Sequence, residues 1–344
     1  MILCYTVIVE VELIMYEQIK NMIIKKKNDI DSQTLYYFTN YFYVLVERDL
    51  IPSKLKLEDL IDNALYYAQE VVFYDENSDV YRKLGPDVKG LCDPETKILY
   101  VRNNLPEPLR EMVIYHELHH ATQTNRKNGQ VGINQNFNIG RMIMEAQTQW
   151  FAEEVYKTIH NVEFDEREIP SEQLRMLSGG RIVSALHNYE MYDAMLSKLA
   201  IILDVSKDFF VSINFLYNKD EGLKLLKEKY NEKAKELKIE KPFSELLYML
   251  DYIYVVDYCL YINNEDKEVI LSGKETDGKY WIYPGRAEKL SLLNERKNID
   301  EFDIILALAL IENGFEHEEF FKYIVDTGNR KRIVDYVSEN KKGK

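Results

Sequence analysis

Apolar residues recur at intervals of three and four along much of the chain, which is the spacing of one face of an amphipathic helix. This pattern predicts a helix over residues 33–50, and a second helix for which Ser53 is the N-terminal cap. We expect the second helix to back a sheet, because its apolar positions form one stripe. Those positions are Leu57, Leu60, Ile61, Ala64, Leu65, Ala68 and Val71.

Short apolar runs separated by Asp, Asn, Gly and Pro predict three strands, over residues 71–74, 88–92 and 98–101. The first fourteen residues are also apolar, but Glu10 and Glu12 interrupt them. They lack the features of a signal peptide and are too short and too acidic to span a membrane. We therefore expect a strand or a helix packed on the body of the protein, and no membrane partner.

Two longer helices are predicted over residues 105–124 and 140–156, with a polar loop rich in Asn, Gln and Gly between them. Beyond residue 156 the pattern is mainly helical. The helical stretches there are residues 173–176, 182–203, 208–217, 221–237, 243–262, 287–294, 299–312 and 316–332. Residues 268–271 and 280–283 flank a turn and predict a hairpin. The fold class expected from these patterns is α+β.

Charge and cysteine content narrow the possible partners and compartments. The chain has 344 residues, enough for about two domains, and a net charge of −14. That charge argues against tight binding to a phosphate backbone, so no nucleic-acid partner is expected. Cys4, Cys92 and Cys259 lie far apart and form no disulfide framework, which indicates a reducing, cytoplasmic location. Abundant Ile, Lys, Asn and Tyr are typical of AT-rich bacterial or phage genes.

Candidate chemistry is concentrated in one pentapeptide near the end of the helix over residues 105–124. His116 and His120 are four positions apart, so their imidazoles lie on one helix face with the spacing of two ligands to one zinc ion. Glu117 points about a quarter turn away and can reach a water bound to the metal. This H-E-x-x-H arrangement makes Glu117 the candidate general base of a zinc hydrolase.

A catalytic zinc needs a third protein ligand, and Glu145 is the candidate. It is a lone carboxylate on the helix over residues 140–156, where it shares a face with Met142, Gln149 and Ala152. His119 is three positions from His116 and competes as a ligand, or else it packs and hydrogen-bonds behind the site.

The order of these motifs resembles the gluzincin class of zinc peptidases. Glu145, Thr148, Phe151 and Ala152 resemble the E-x-x-A-N-x-F-A helix of ImmA/IrrE-type metallopeptidases, and the likeness covers roughly residues 57–156. The chain departs from that family at His119, where Gly is common, and at Thr148 and Gln149, where Ala and Asn are common. The resemblance implies a zincin-like α+β domain whose strand over residues 97–102 forms the sheet edge along which a peptide lies.

The resemblance also implies a His or Tyr, from a helix after the glutamate ligand, that stabilises the oxyanion. His187 and Tyr189 are the preferred candidates for this catalytic role, with Tyr192 and His160 as alternatives. Asp193 is a candidate for a different role, that of orienting a ligand histidine.

Together these expectations describe a zinc-dependent peptidase with three parts. Residues 1–56 pack on the catalytic domain, residues 57–160 form the metallopeptidase domain, and residues 161–344 are mainly helical and complete the cleft. The ligands of Zn²⁺ are His116, His120 and Glu145, and the partner is a peptide or protein substrate. The alternative is a metal-binding regulatory or interaction protein that has a metallopeptidase-like domain and little turnover.

Overall fold

A computed structural model of the chain describes residues 2–85, 88–134, 140–162 and 202–237, with a few further positions between 196 and 250. The helices are α1 (Ile2–Lys26), α2 (Ser32–Glu47), α3 (Leu57–Tyr67), α4 (Asp79–Leu84), α5 (Glu107–Gln123), α6 (Arg141–His160), α7 (Lys207–Asn214) and α8 (Glu221–Leu237). The strands are β1 (Glu70–Tyr74), β2 (Gly90–Asp93) and β3 (Ile98–Arg102). The described part thus combines many helices with one small sheet, as expected for an α+β fold.

The three strands are ordered β1-β3-β2 in the sheet. β1 runs parallel to β3, with Val71 opposite Leu99, and β2 runs antiparallel to β3, with Cys92 opposite the same residue. The expectation that residues 97–102 form the sheet edge is therefore wrong. β3 has a partner on each side, and in the part of the chain that the structure describes β1 and β2 are the two edge strands.

Helix α2 covers the outer side of β1. The backbone N–H of Val71 donates to Oγ1 of Thr34 at 2.9 Å, and Thr34 is completely buried. A strand edge normally exposes unpaired N–H and C=O groups, and a covering helix removes that exposure. Its pairing with Leu99 shows that Val71 belongs to β1 and not to the preceding helix, which ends at Tyr67.

The helix that packs on β2 and β3 is α5. α3, which was expected to back the sheet, instead packs chiefly against α5 and places Leu60, Ile61 and Ala64 in the core. Its start also differs from the prediction. The residue before its first turn is Lys56, which makes no capping hydrogen bond, and Ser53 lies in the turn before it.

Two compact units can be distinguished by their contacts, and each is described by itself. The first contains α1 to α5, the sheet, α6 from Thr148 onward, and residues 211–219. Its largest fully buried side chains include Tyr41, Phe42 and Tyr115. In the second unit, Leu226, Tyr230 and Ala234 form the buried stripe of α8.

The N-terminal residues form a helix, α1, which settles the choice between strand and helix left open by the sequence. No helix among the described residues has the length and hydropathy needed to cross a membrane. The helices and the hairpin predicted between residues 163 and 195 and beyond 250 lie outside the described residues.

The Thr34 contact generates a stability prediction. Thr34→Val keeps the side-chain shape but leaves the buried N–H of Val71 without its acceptor. We expect the free energy of unfolding to fall by about 1–3 kcal/mol. Denaturant titration measures this change.

Thr39→Val is the matched control. Thr39 is also buried on α2, but its hydroxyl donates to the carbonyl of Leu35 at 2.7 Å, inside the same helix. That carbonyl already accepts a helical hydrogen bond, so little stability should be lost. Equal losses in the two variants would contradict the role given to Thr34.

Candidate metal centre

Helix α5 is buried on nearly every side, and it carries the two histidines of the H-E-x-x-H motif. His116 is 6% exposed and His120 is half-buried. Their rings lie 4.6 Å apart, centroid to centroid, and are nearly perpendicular at 86°. The two Nε2 atoms face each other at 3.0 Å. The predicted pair of imidazoles on one helix face is therefore present.

Gln149 on α6 fixes the orientation of His116. Its Oε1 lies 3.1 Å from Nδ1 of His116, while its Nε2 donates to Oε1 of Glu153 at 2.9 Å. A carboxylate only accepts hydrogen bonds, so the amide nitrogen must face Glu153 and the amide oxygen must face the histidine. His116 therefore donates from Nδ1, and the lone pair of its Nε2 points to His120. Orienting contacts of this kind are usual behind metal-ligating histidines.

Glu145 is one turn before Gln149 on α6 and is half-buried. His116, His120 and Glu145 each offer one ligand atom, and these three atoms lie within 4.8 Å of one another. Arg141 contributes a cation 3.8 Å from Glu145 Oε1, one turn earlier on the helix. The three residues nominated from the sequence as metal ligands are thus brought together as a group that could hold a metal ion.

Zinc suits this donor set. Two imidazoles and one carboxylate are a common ligand set of catalytic zinc. Nitrogens bound to one tetrahedral zinc at ~2.0–2.1 Å lie roughly 3.3 Å apart, close to the 3.0 Å between the Nε2 atoms of His116 and His120. The residues present fit the ion.

Glu117 faces the sheet and is not part of the ligand group. Its Oε2 accepts a hydrogen bond from the backbone N–H of Cys92 on β2, at 3.3 Å. Gly90 makes this close approach of β2 to α5 possible, because a Cβ atom there would lie 2.4 Å from Val113 Cγ1 and 3.0 Å from Glu117 Cγ. The carboxylate next to the first histidine is therefore held at the outer edge of β2.

His119 is buried behind the site. It is 0% exposed, its Nδ1 lies 2.7 Å from the hydroxyl of Tyr41, and its Nε2 lies 2.7 Å from Nε2 of Gln123. Phe151 and Phe215 pack around the ring. Because both ring nitrogens are already used, His119 packs and hydrogen-bonds behind the histidine pair and does not compete for the metal.

His160 lies far from the ligand group. It ends α6, fifteen residues after Glu145, which corresponds to about 22 Å along a helix. Its Nε2 is 2.6 Å from Oε2 of Glu111, and its ring stacks on Tyr156. His160 is therefore excluded as the oxyanion donor. The other candidates for that role, His187, Tyr189 and Tyr192, lie outside the described residues, as does Asp193, the candidate for orienting a ligand histidine.

Cys92 lies beside Glu117 without the properties of a nucleophile. Burial, together with the carboxylates of Glu117 and Asp93, raises the pKa of its thiol to about 12. The protonated sulfur donates to the carbonyl of Tyr67 at 3.3 Å. A thiol in this state neither attacks a substrate nor binds zinc at neutral pH.

Gln149 is the site residue that sequence reasoning did not assign to chemistry. It was recognised only as sharing a helix face with Glu145. The available signal was its spacing, because a residue four positions after a ligand lies one turn along the same face. The spacing does not predict which of the two histidines Gln149 contacts, because that depends on how α6 packs against α5.

Comparisons with known proteins found no match to this chain. No family profile matches it, and no curated protein and no solved structure matches it. The resemblance to ImmA/IrrE-type metallopeptidases therefore rests on the motifs of α5 and α6.

Metal content is the first prediction from this geometry. Protein reloaded with zinc should bind about one ion per chain, since the three ligand atoms form one group. His116→Ala and His120→Ala should lose it, and Glu145→Ala should bind it more weakly. Elemental analysis after dialysis measures this. His160→Gln is the control, because it alters a distant histidine and should keep the metal. Wild-type protein without a transition metal after reloading would contradict the site.

The second prediction concerns Gln149. Gln149→Met keeps the length of the side chain but cannot accept the hydrogen bond from His116. Zinc affinity should fall about 10- to 100-fold, as measured by competition with a chelator. Gln149→Glu retains an acceptor at the same place and should lose much less. If both variants bind zinc as wild type does, Gln149 does not orient the ligand.

Proposed function

We propose that this protein is a zinc-dependent peptidase of gluzincin type, in which His116, His120 and Glu145 bind the metal. The observation that carries the proposal is the convergence of these three ligand atoms within 4.8 Å of one another, together with Glu117, which directly follows His116. Two neutral imidazoles and one carboxylate leave a zinc site with a net charge of about +1. When bound, the zinc supplies a Lewis acid that polarises a carbonyl and lowers the pKa of a water.

Glu117 is the proposed general base. Its Oε2 is anchored to the N–H of Cys92, and among the described residues its Oε1 accepts no hydrogen bond. One oxygen therefore fixes the carboxylate while the other can accept a proton. In the proposed mechanism Glu117 takes the proton from the attacking water and then gives it to the leaving amine.

The outer edge of β2 is the proposed place for the substrate backbone. The outer edge of β1 is closed by the contact between Thr34 and Val71, whereas among the described residues β2 pairs on one side only. An extended peptide can add to such an edge as a further strand. A peptide there would pass the carboxylate of Glu117, which is hydrogen-bonded to the same edge at Cys92. A peptide or protein substrate fits this arrangement better than a compact small molecule.

The remaining parts of the proposal concern the domain bounds, the donor to the oxyanion and the cellular location. We assign residues 57–160 to the zincin-like catalytic domain and residues 161–344 to a helical part that completes the cleft. His187 or Tyr189 remains the proposed donor to the oxyanion. The reducing environment of the cytoplasm agrees with Cys92, which is a free thiol.

The test of this function separates chemistry from metal binding. Glu117→Gln keeps the size and polarity of the side chain but cannot accept the proton of the water. Zinc content should remain normal, while peptide hydrolysis falls by at least the ~10²-fold typical of losing a general base. Quenched fluorescent peptide libraries and elemental analysis provide the two measurements.

Glu145→Gln is the matched comparison, because it makes the same chemical change at a ligand. It should bind zinc less well. If Glu117→Gln loses zinc as severely as Glu145→Gln, the two roles are assigned wrongly. If zinc-loaded wild type cleaves no peptide in a broad library, the peptidase proposal fails and a metal-binding interaction module is favoured.

A further inference from the structure

The last turn of α5 ends inside the protein, so its carbonyl groups need partners other than water. Asn63, from α3, lies against this turn and is only 4% exposed. Its Nδ2 donates to the carbonyls of Thr122 and Thr124 at 2.8 Å each, and to that of Ala121 at 3.3 Å. One carboxamide, with its two N–H groups directed mainly at Thr122 and Thr124, therefore caps the end of the helix on which His116 and His120 lie.

Arg126 fixes the orientation of this carboxamide. Its Nε donates to Oδ1 of Asn63 at 2.8 Å. An arginine can only donate, so the amide oxygen must face Arg126 and the amide nitrogen must face the helix. The guanidinium also lies over the ring of Tyr66, 4.8 Å from its centroid, and Tyr66 is three residues after Asn63 on α3. Its positive charge stands at the negative end of the helix dipole, where a cation is favoured.

The capped turn is the one that contains His120. The hydroxyl of Thr124 donates to the carbonyl of His120 at 2.6 Å, and the carbonyl of Thr124 accepts from Asn63. Thr124 therefore links the two residues: its hydroxyl binds the carbonyl of His120, and its own carbonyl binds the amide of Asn63. His116, by contrast, is one turn earlier and is oriented by Gln149.

We propose that Asn63 is a positioning residue for the metal ligand His120. Without its amide the last turn of α5 would fray, because the carbonyls of Thr122 and Thr124 would lose this donor. The imidazole of His120 would then be placed less accurately relative to His116. The inference rests on the metal site of the proposed function and does not depend on peptide hydrolysis.

The experiment compares Asn63→Ala with Thr34→Val. Both variants remove a buried hydrogen-bonding group, but Thr34 contacts β1 and not the last turn of α5. The zinc dissociation constant is measured by chelator competition at a temperature where circular dichroism shows both variants folded. The visible absorption of bound Co²⁺ then reports the geometry of the ligands. We expect about 10-fold weaker zinc binding and an altered Co²⁺ spectrum in Asn63→Ala only.

Asn63→Ala that binds zinc with wild-type affinity and gives the wild-type Co²⁺ spectrum would overturn the inference. So would equal weakening in Thr34→Val, because the effect would then follow global stability. If Asn63→Ala does not fold, Arg126→Ala replaces it, since Arg126 is exposed and its loss frees the amide to rotate. Zinc binding about 3-fold weaker is expected in that variant, and unchanged binding would overturn the inference.

Failure of the inference and failure of the proposed function give different results. Wild type that binds zinc but hydrolyses no peptide contradicts the peptidase proposal, while the comparison of affinities still decides the role of Asn63. Wild type that hydrolyses peptides, together with Asn63→Ala that binds zinc normally, contradicts only the positioning role.

Discussion

The burial of α5 is the constraint on which the rest of the described structure depends. A buried polar group without a partner costs free energy comparable to a lost hydrogen bond, and α5 carries many such groups. Its neighbours meet this demand one by one. Tyr41 of α2 hydrogen-bonds to His119, and His160 of α6 hydrogen-bonds to Glu111. Gln149 hydrogen-bonds to His116, and Asn63 to the last turn of the helix. The elements around α5 are thus positioned by what its polar side needs as well as by apolar packing.

The two histidines of the H-E-x-x-H motif also contact each other. The Nε2 atoms of His116 and His120 face each other at 3.0 Å within one helix, whereas the other contacts named above join α5 to a different element. Because His116 donates from Nδ1 to Gln149, its Nε2 presents a lone pair to the second ring. That lone pair, beside the carboxylate of Glu145, favours the binding of a cation among the three residues.

Local spacing predicted the parts that depend on a single helix. The pairing of His116 with His120, and the separate direction of Glu117, follow from 3.6 residues per turn. Strand order does not follow from local pattern. The edge position of β3 was expected from the family resemblance alone, and β3 lies between β1 and β2 instead.

The contact by which Asn63 caps α5 could not be predicted from the sequence, for a related reason. Asn63 is 58 residues from Ala121, and an asparagine inside a helical stripe carries no local sign that it caps another helix. Ser53, by contrast, has a residue type typical of a cap but lies too early in the chain to fill that position.

The two histidines are held by different neighbours, and this division has a mechanical consequence. Gln149 of α6 orients His116 directly through its ring, while Asn63 of α3 secures the backbone turn of His120. A helix alone fixes the separation of two Cα atoms but leaves each ring free to rotate about its side-chain torsions. A ligand pair therefore needs both a rigid helix end and a ring that is held in place. Here α5 obtains the two from different helices, so a displacement of either helix would alter the distance between the facing nitrogens.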